Sequence, residues 1–214
     1  MIVTTAVGYT FETEDESIEV GSQVNVPIPQ HSESTSTSDK VINFLAHMYG
    51  LQKEWTAESM GKFSAPDGLE HFPDYIMKLH EDNLKLFLIK MYGAGATLIN
   101  HKSGTNSNDM PEVRFRCVHK SLAQEIQYLW LRLGIKTRVY YHTQLKKWIV
   151  QTAGNAAYVA MRPYLIATRN PKISKKMKEL DRLVPFKFRV DDYPVKDRVV
   201  EVSSNSESSD ILVS

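Results

Sequence analysis

The chain has 214 residues, 42% apolar and 24% charged, with a lone cysteine, Cys117. That composition is the one expected of a globular protein with a real core; it excludes collagen-like, wholly disordered and disulfide-stapled classes, and one cysteine cannot build a thiolate zinc cage. The formal net charge of +1 hides a segregation of −8 over residues 1–100, +13 over 101–189 and −4 from 190 onward, so a cationic centre suited to a polyanion lies between acidic flanks.

Two extended stretches open the chain. Val3 to Thr10 is β-branched and aromatic, and Ile18 to Val26 alternates around the Gly21-Ser22 turn before Pro27 and Pro29 end it. The polar run from Gln30 to Ser38 reads as a linker. Ser38-Asp39 caps a predicted helix through Val41, Ile42, Leu45 and Met48, stopped by Gly50, and a non-periodic loop covers 52–74. From Glu81, the spacing of Leu84, Phe87, Leu88 and Met91 predicts a second helix entering the small-residue run Gly93-Ala94-Gly95-Ala96.

The period then changes from about 3.6 to 2. Thr97 to Lys102 and Val113 to Val118 read as strands around a polar loop, 103–110. Ser121 opens a helix carrying Leu122, Ile126, Leu129, Trp130 and Leu133, with Gly134 as its left-handed cap. Thr137 to His142 and Trp148 to Thr152 read as a strand pair. A last helix follows Gly154, and Pro163 is expected to distort or limit it. The order from 81 to 166 is α-β-β-α-β-β-α, an α+β arrangement with helices on one face of an antiparallel sheet.

Strand alternation assigns the faces. Val113, Phe115 and Cys117 share one side, and Arg114 and Arg116 the other. Arg138, Tyr140 and His142 alternate in the same way with Thr137, Val139 and Tyr141, while Gln151 opposes Trp148 and Val150. One face is apolar and suits helices. The other carries groups able to neutralise phosphates and to bond base edges from strands in a major groove. No histidine pair has ligand spacing with a third donor nearby, so no metal site is expected. Cys117 reads as core filler, and no phosphate-cradling Gly-rich lysine motif exists. No apolar run reaches the roughly 18 residues that span a bilayer, and the start lacks a leader pattern. The expected location is intracellular, in cytoplasm or nucleoid, compatible with a virus- or phage-encoded protein.

Residues 71 to 166, from HFPDYIMKLHEDNLKLFLIKMYGAGATLIN through SLAQEIQYLWLRLGI and WIVQTAGNAAYVAMRPYL, resemble a half-domain of the LAGLIDADG homing endonucleases, particularly those embedded in inteins of replicative helicases. Leu88 to Leu98 lies over the signature. SIEVGSQVNVPIP (Ser17 to Pro29) looks like an intein strand leaving the splicing domain, and YPVKDRVVEV (Tyr193 to Val202) like the strand returning to it. The resemblance implies a LAGLIDADG-like half-domain with short β-rich flanks, divided here into an arm and linker at 1–38, a domain at 39–190 and an acidic, partly disordered tail at 191–214.

The departures are as informative as the likeness. The signature helix should end in a carboxylate that holds a divalent metal, and that position is Gly93 in a run without an acid. No Cys or Ser stands first and no His-Asn pair last, so neither cutting nor splicing is expected. The resemblance implies a homodimer packed about Leu88, Tyr92, Gly93, Ala94, Gly95 and Ala96. One internal echo, Phe44 to Gly50 against Phe87 to Gly93, is too close in sequence for a second half-domain. The expected function is binding of double-stranded DNA through Lys102, Arg114, Arg116, Arg138, Tyr140 and Gln151, with Lys146, Lys147, Lys175 and Lys176 on phosphates, and without a cofactor. Two alternatives stand beside it. One is weak Mg²⁺-dependent cutting with Asp109 or Glu112 as the substitute acid. The other is an adaptor or structural role, including a viral one, through the acidic arm and tail.

Overall fold

A computed structural model describes residues 1–29, 69–101, 110–152, 154–182 and 196–203. The expected helix at 39–50, the linker before it, the echo at 44–50, Lys102, Asp109 and the tail beyond 203 lie outside the described residues. In chain order the elements are β1 (Ile2–Thr5), β2 (Thr10–Glu12), β3 (Gln23–Asn25), α1 (Asp74–Met77), α2 (Glu81–Gly95), β4 (Thr97–His101), β5 (Met110–Cys117), α3 (Lys120–Leu131), β6 (Thr137–His142), β7 (Lys147–Thr152), α4 (Asn155–Ala167), α5 (Pro171–Leu180) and β8 (Lys196–Ser203). They fall into two units, Met1–Ile28 with Pro194–Ser214, and Pro29–Tyr193.

The first unit is a four-stranded sheet in the order β2-β1-β8-β3, antiparallel throughout. The flanks read separately in the sequence are thus one structure. β8 lies between β1 and β3, so the start of the tail is an eight-residue central strand. The stretch read as continuous from Val3 to Thr10 is broken, because Gly8 takes φ 92° and lets the chain turn back, with Thr5 donating its N–H to Tyr9 O at 2.9 Å. Ile18 to Val26 keeps only β3 as strand, since Gly21, at φ 100°, turns the chain just before it. Val3, Tyr9, Val26 and Val199 are the buried apolar residues of this unit. Asp197 is buried beside them and accepts the Val7 N–H at 2.8 Å.

The second unit carries the expected α-β-β-α-β-β-α order on an antiparallel sheet, β4-β5-β7-β6. The strand residues that enter its core, Leu98, Val113, Phe115, Cys117 and Val150, all come from one sheet face and meet Leu84, Phe87, Leu88 and Met91 of α2, Leu122, Ile126 and Trp130 of α3, and Tyr158, Met161 and Leu165 of α4. Aromatic geometry fixes the centre. Tyr92 stacks on Phe115 at 5.1 Å and presents its ring edge-on to Trp130 at 4.8 Å, and Trp130 does the same with Tyr164 at 5.4 Å. Cys117 is buried here, and burial pushes its thiol up to about 12, so it stays a protonated core residue.

Three features depart from the sequence reading. α4 runs unbroken through Pro163; the proline is exposed, while Tyr158, Met161 and Leu165 of the same helix enter the core. The short helix α1 begins at the last residue of the stretch read as loop and fills part of the interval before Glu81, where no element was expected. Arg132, at the end of α3, donates to Met77 O at 2.9 Å and to Leu79 O, tying that helix to the end of α1. The third is α5, whose Asn170 side chain accepts from Lys172 N at 2.9 Å and Ile173 N at 3.4 Å as an N-cap. Ile173, Met177 and Leu180 take α5 into the same core. Asn170, Pro171 at the first helical position and this apolar spacing were a legible start signal.

Candidate nucleic-acid interface

Opposite the helices, the sheet's other face is built row by row from the strand register. Thr97, Arg114, Gln151 and Arg138 are cross-strand neighbours in one row spanning all four strands. Arg116, Ile149 and Tyr140 form the next, and Lys147 with His142 the one after it. Arg114 and Arg138 flank Gln151 two strand spacings apart, about 10 Å, a separation comparable with a major groove about 12 Å wide.

Within these rows the predicted residues are not equivalent. Arg116 and Arg138 are exposed. Arg138 lies over the Tyr140 ring at 5.5 Å and donates to Gln151 Oε1 from Nε at 3.4 Å and Nη2 at 3.2 Å. Gln151 itself is only 1% exposed, so its expected contact with a base is corrected: its carbonyl oxygen positions Arg138 instead. Ile149, in the next row between Arg116 and Tyr140, is equally covered. Arg114 is 21% exposed and donates to Glu112 Oε2 from Nε at 3.0 Å and Nη2 at 2.6 Å. Its charge is thereby partly neutralised inside the face. Glu112, buried beside it, is an ion-pair partner rather than an open carboxylate.

The lysines separate in space. Lys147 belongs to the face, and exposed Lys146 sits in the β6–β7 turn in a left-handed conformation, φ 49°. Lys175 and Lys176 do not join them. They stand on α5, which packs in the helical layer, and Lys176 pairs there with Glu179; expecting them on the same duplex surface as the strands is corrected by the burial of Ile173, Met177 and Leu180 on the core side.

The end of α2 is the other landmark. Leu88, Tyr92, Gly93, Ala94 and Gly95 are buried within this chain, and only Ala96 of the six expected packing residues keeps partial exposure. A Cβ placed on Gly93 would meet Thr168 Cβ at 3.2 Å, and Asn170 Nδ2 donates to Gly93 O at 2.7 Å. The small-residue run therefore does serve close approach, but toward the α4–α5 connection of its own chain, which corrects its assignment to a partner copy. The last turn of α2 has no carboxylate, a side chain at Gly93 would run into Thr168, and the described residues hold no cluster of three His, Cys, Asp or Glu side chains. No helix among the described residues is long and apolar enough to cross a membrane.

Comparison with known proteins adds one match, since neither the curated proteins nor the solved structures give any. A family model described as a LAGLIDADG-like domain covers residues 82–160, from the first turn of α2 through the whole four-stranded sheet into α4. The match leaves out α5 and, before it, Thr168 and Asn170, the residues that close over Gly93. Residues 82–160 are thus similar to a LAGLIDADG-like domain.

Proposed function

We propose that the open face of β4-β5-β7-β6 binds duplex DNA and does not cut it. The observation that carries this reading is the alignment of Arg114, Arg116 and Arg138 on the sheet face that the described helices do not cover, within a family match that includes all four strands. Arg138, held by Gln151, is the side chain best placed to reach a base edge, because a guanidinium fixed at its root presents its fork at low entropic cost. Arg116, Lys146 and Lys147 would neutralise phosphates and set the register on the duplex.

Pairing of two copies, as the family implies, would have to use the part of α2 left open. Leu86 and Ile89 are only partly buried and stand outside the core cluster, so the contact shifts toward the middle of the helix. Sedimentation of the wild type against a Leu86→Glu, Ile89→Glu variant tests it, with a dimer expected only for the wild type.

The decisive test is fluorescence anisotropy with a labelled random duplex across a salt series. Binding should weaken by roughly 0.9 log units per neutralised phosphate for each tenfold rise in salt, and Arg116→Ala with Arg138→Ala should lower low-salt affinity by about tenfold or more. No binding at low salt refutes the proposal. Supercoiled plasmid with Mg²⁺ or Mn²⁺ should remain uncut; nicking by the purified chain would restore the enzyme reading.

A further inference from the structure

The first unit contains a cleft of about 460 Å³ that the DNA-binding reading does not use. Its walls are Phe11, Glu12 and Thr13 at β2 and Gln23, Val24 and Asn25 at β3, with Asp15, Ser17 and Ile18 from the connection between them. β2 and β3 are the two outer strands of the sheet, and no residue of the inner strands β1 or β8 lines the cleft. The cleft is therefore bordered by both outer strands and by the 13–22 connection.

Hydrogen-bond alternation shows what the edges offer. Thr13 exchanges bonds with Met1, N–H to O at 3.0 Å and terminal amine to O at 2.8 Å, and Tyr9 O accepts from Thr5 N. Along β2, residues 9, 11 and 13 therefore face β1, and the N–H and C=O groups of Thr10 and Glu12 point away from the sheet. On the other wall Val199 N donates to Ser22 O at 2.9 Å, so Val24 faces β8 and Gln23 and Asn25 turn outward in the same manner. Among the described residues no strand pairs with either outer edge. An open edge of this kind is a template for an added strand.

The chemistry of the walls selects its occupant. Residues 1–29 contain five acids, Glu12, Glu14, Asp15, Glu16 and Glu19, and no Lys, Arg or His. Glu12 and Asp15 stand in the cleft itself, and Phe11, Ile18, Val24 and Pro27 supply apolar wall between them. A strand presents alternate side chains to opposite sides, so the complement is a segment in which basic and apolar residues alternate. We propose that this cleft binds an extended, alternating basic and apolar segment of a partner protein, paired edge-on with β2 and β3. Main-chain bonds would supply affinity, and Glu12 and Asp15 would select the sign of charge.

The test uses the full chain and a fluorescein-labelled octapeptide of alternating Lys and Val. Saturable binding is expected, with an alternating Glu and Val peptide inert and a Lys-Val peptide methylated on every second backbone nitrogen at least about tenfold weaker. Glu12→Lys with Asp15→Lys should weaken the parent peptide by about tenfold or more. Glu12→Pro removes one outward N–H at a position that spares the β1 ladder and should weaken it independently of charge. None of these variants should weaken DNA binding, since each leaves the chain more cationic, which separates failure of this inference from failure of the DNA-binding reading. Equal binding of the methylated and parent peptides, no binding of any peptide at about 1 mM, or a dimer of the chain itself that dissociates in Glu12→Pro would overturn the proposal.

Discussion

The two faces of β4-β5-β7-β6 come from the same four strands and obey opposite rules. On one, Phe115 and Val113 meet three helices and lie within a closed aromatic set with Tyr92 and Trp130. On the other, their sequence neighbours Arg114 and Arg116 stand among Gln151, Arg138 and Tyr140. Side-chain volume has to be matched on the first face, whereas charge is what counts on the second. Yet burial does not divide cleanly between them. Gln151 and Ile149 are as hidden as core residues, although they stand on the face opposite the core.

The largest expected effect that would break this comparison is a pair of truncations at adjacent positions. Phe115→Ala should cost about 3–5 kcal/mol in urea unfolding. Arg116→Ala should stay within about 0.5 kcal/mol while reducing DNA affinity. Similar stability losses at both would mean the faces are not functionally distinct.

Next in size is Gly93→Asp, which restores the carboxylate that the resemblance assigns to this position. Here the new side chain meets Thr168 and lies buried without a cation. A loss of about 2–4 kcal/mol is expected, with no Mg²⁺-dependent plasmid cleavage gained. A stable, cutting variant would show that the close packing over Gly93 can open.

The smallest effect concerns the tie between the end of α5 and α4. Asp181 accepts from Arg162 Nη2 at 2.8 Å and from Tyr158 OH at 2.9 Å. The bonds from Arg162, with a smaller contribution from Tyr158, hold its carboxyl below the usual value against the opposing effect of burial. A carboxyl with a depressed folded-state pKa stabilises the fold above its unfolded value, near 4, and loses that contribution as pH falls through the folded value. Asp181→Asn should therefore cost about 1 kcal/mol or less at pH 7, with the gap to wild type closing below about pH 4. A gap that persists in acid would point to shape rather than charge.

Much of this arrangement was readable from local pattern. Alternation placed Arg114, Arg116, Arg138 and Tyr140 opposite Val113, Phe115 and Val139, and the register confirms each assignment. The helix periods at Leu84 to Met91 and Leu122 to Trp130 pointed to the core that forms. What escaped depended on residues distant in sequence. Nothing near Gly93 tells that Thr168 and Asn170 close over it, nor does β7 alone reveal that Gln151 is flanked by arginines on both sides. The pairing of Glu112 with Arg114 lies two residues apart on one strand face and was open to reading; charge counting over the whole segment concealed it.

The sequence alone determined the strand and helix periods, the two chemical faces and the segregation of charge, because each follows from side chains at fixed steps along a regular backbone. Only the tertiary structure decided which cations remain open to a ligand, where the small-residue run finds its partner and that the two flanks share one sheet. Those outcomes depend on long-range contacts, whose partners are set by how the elements pack rather than by their own residues.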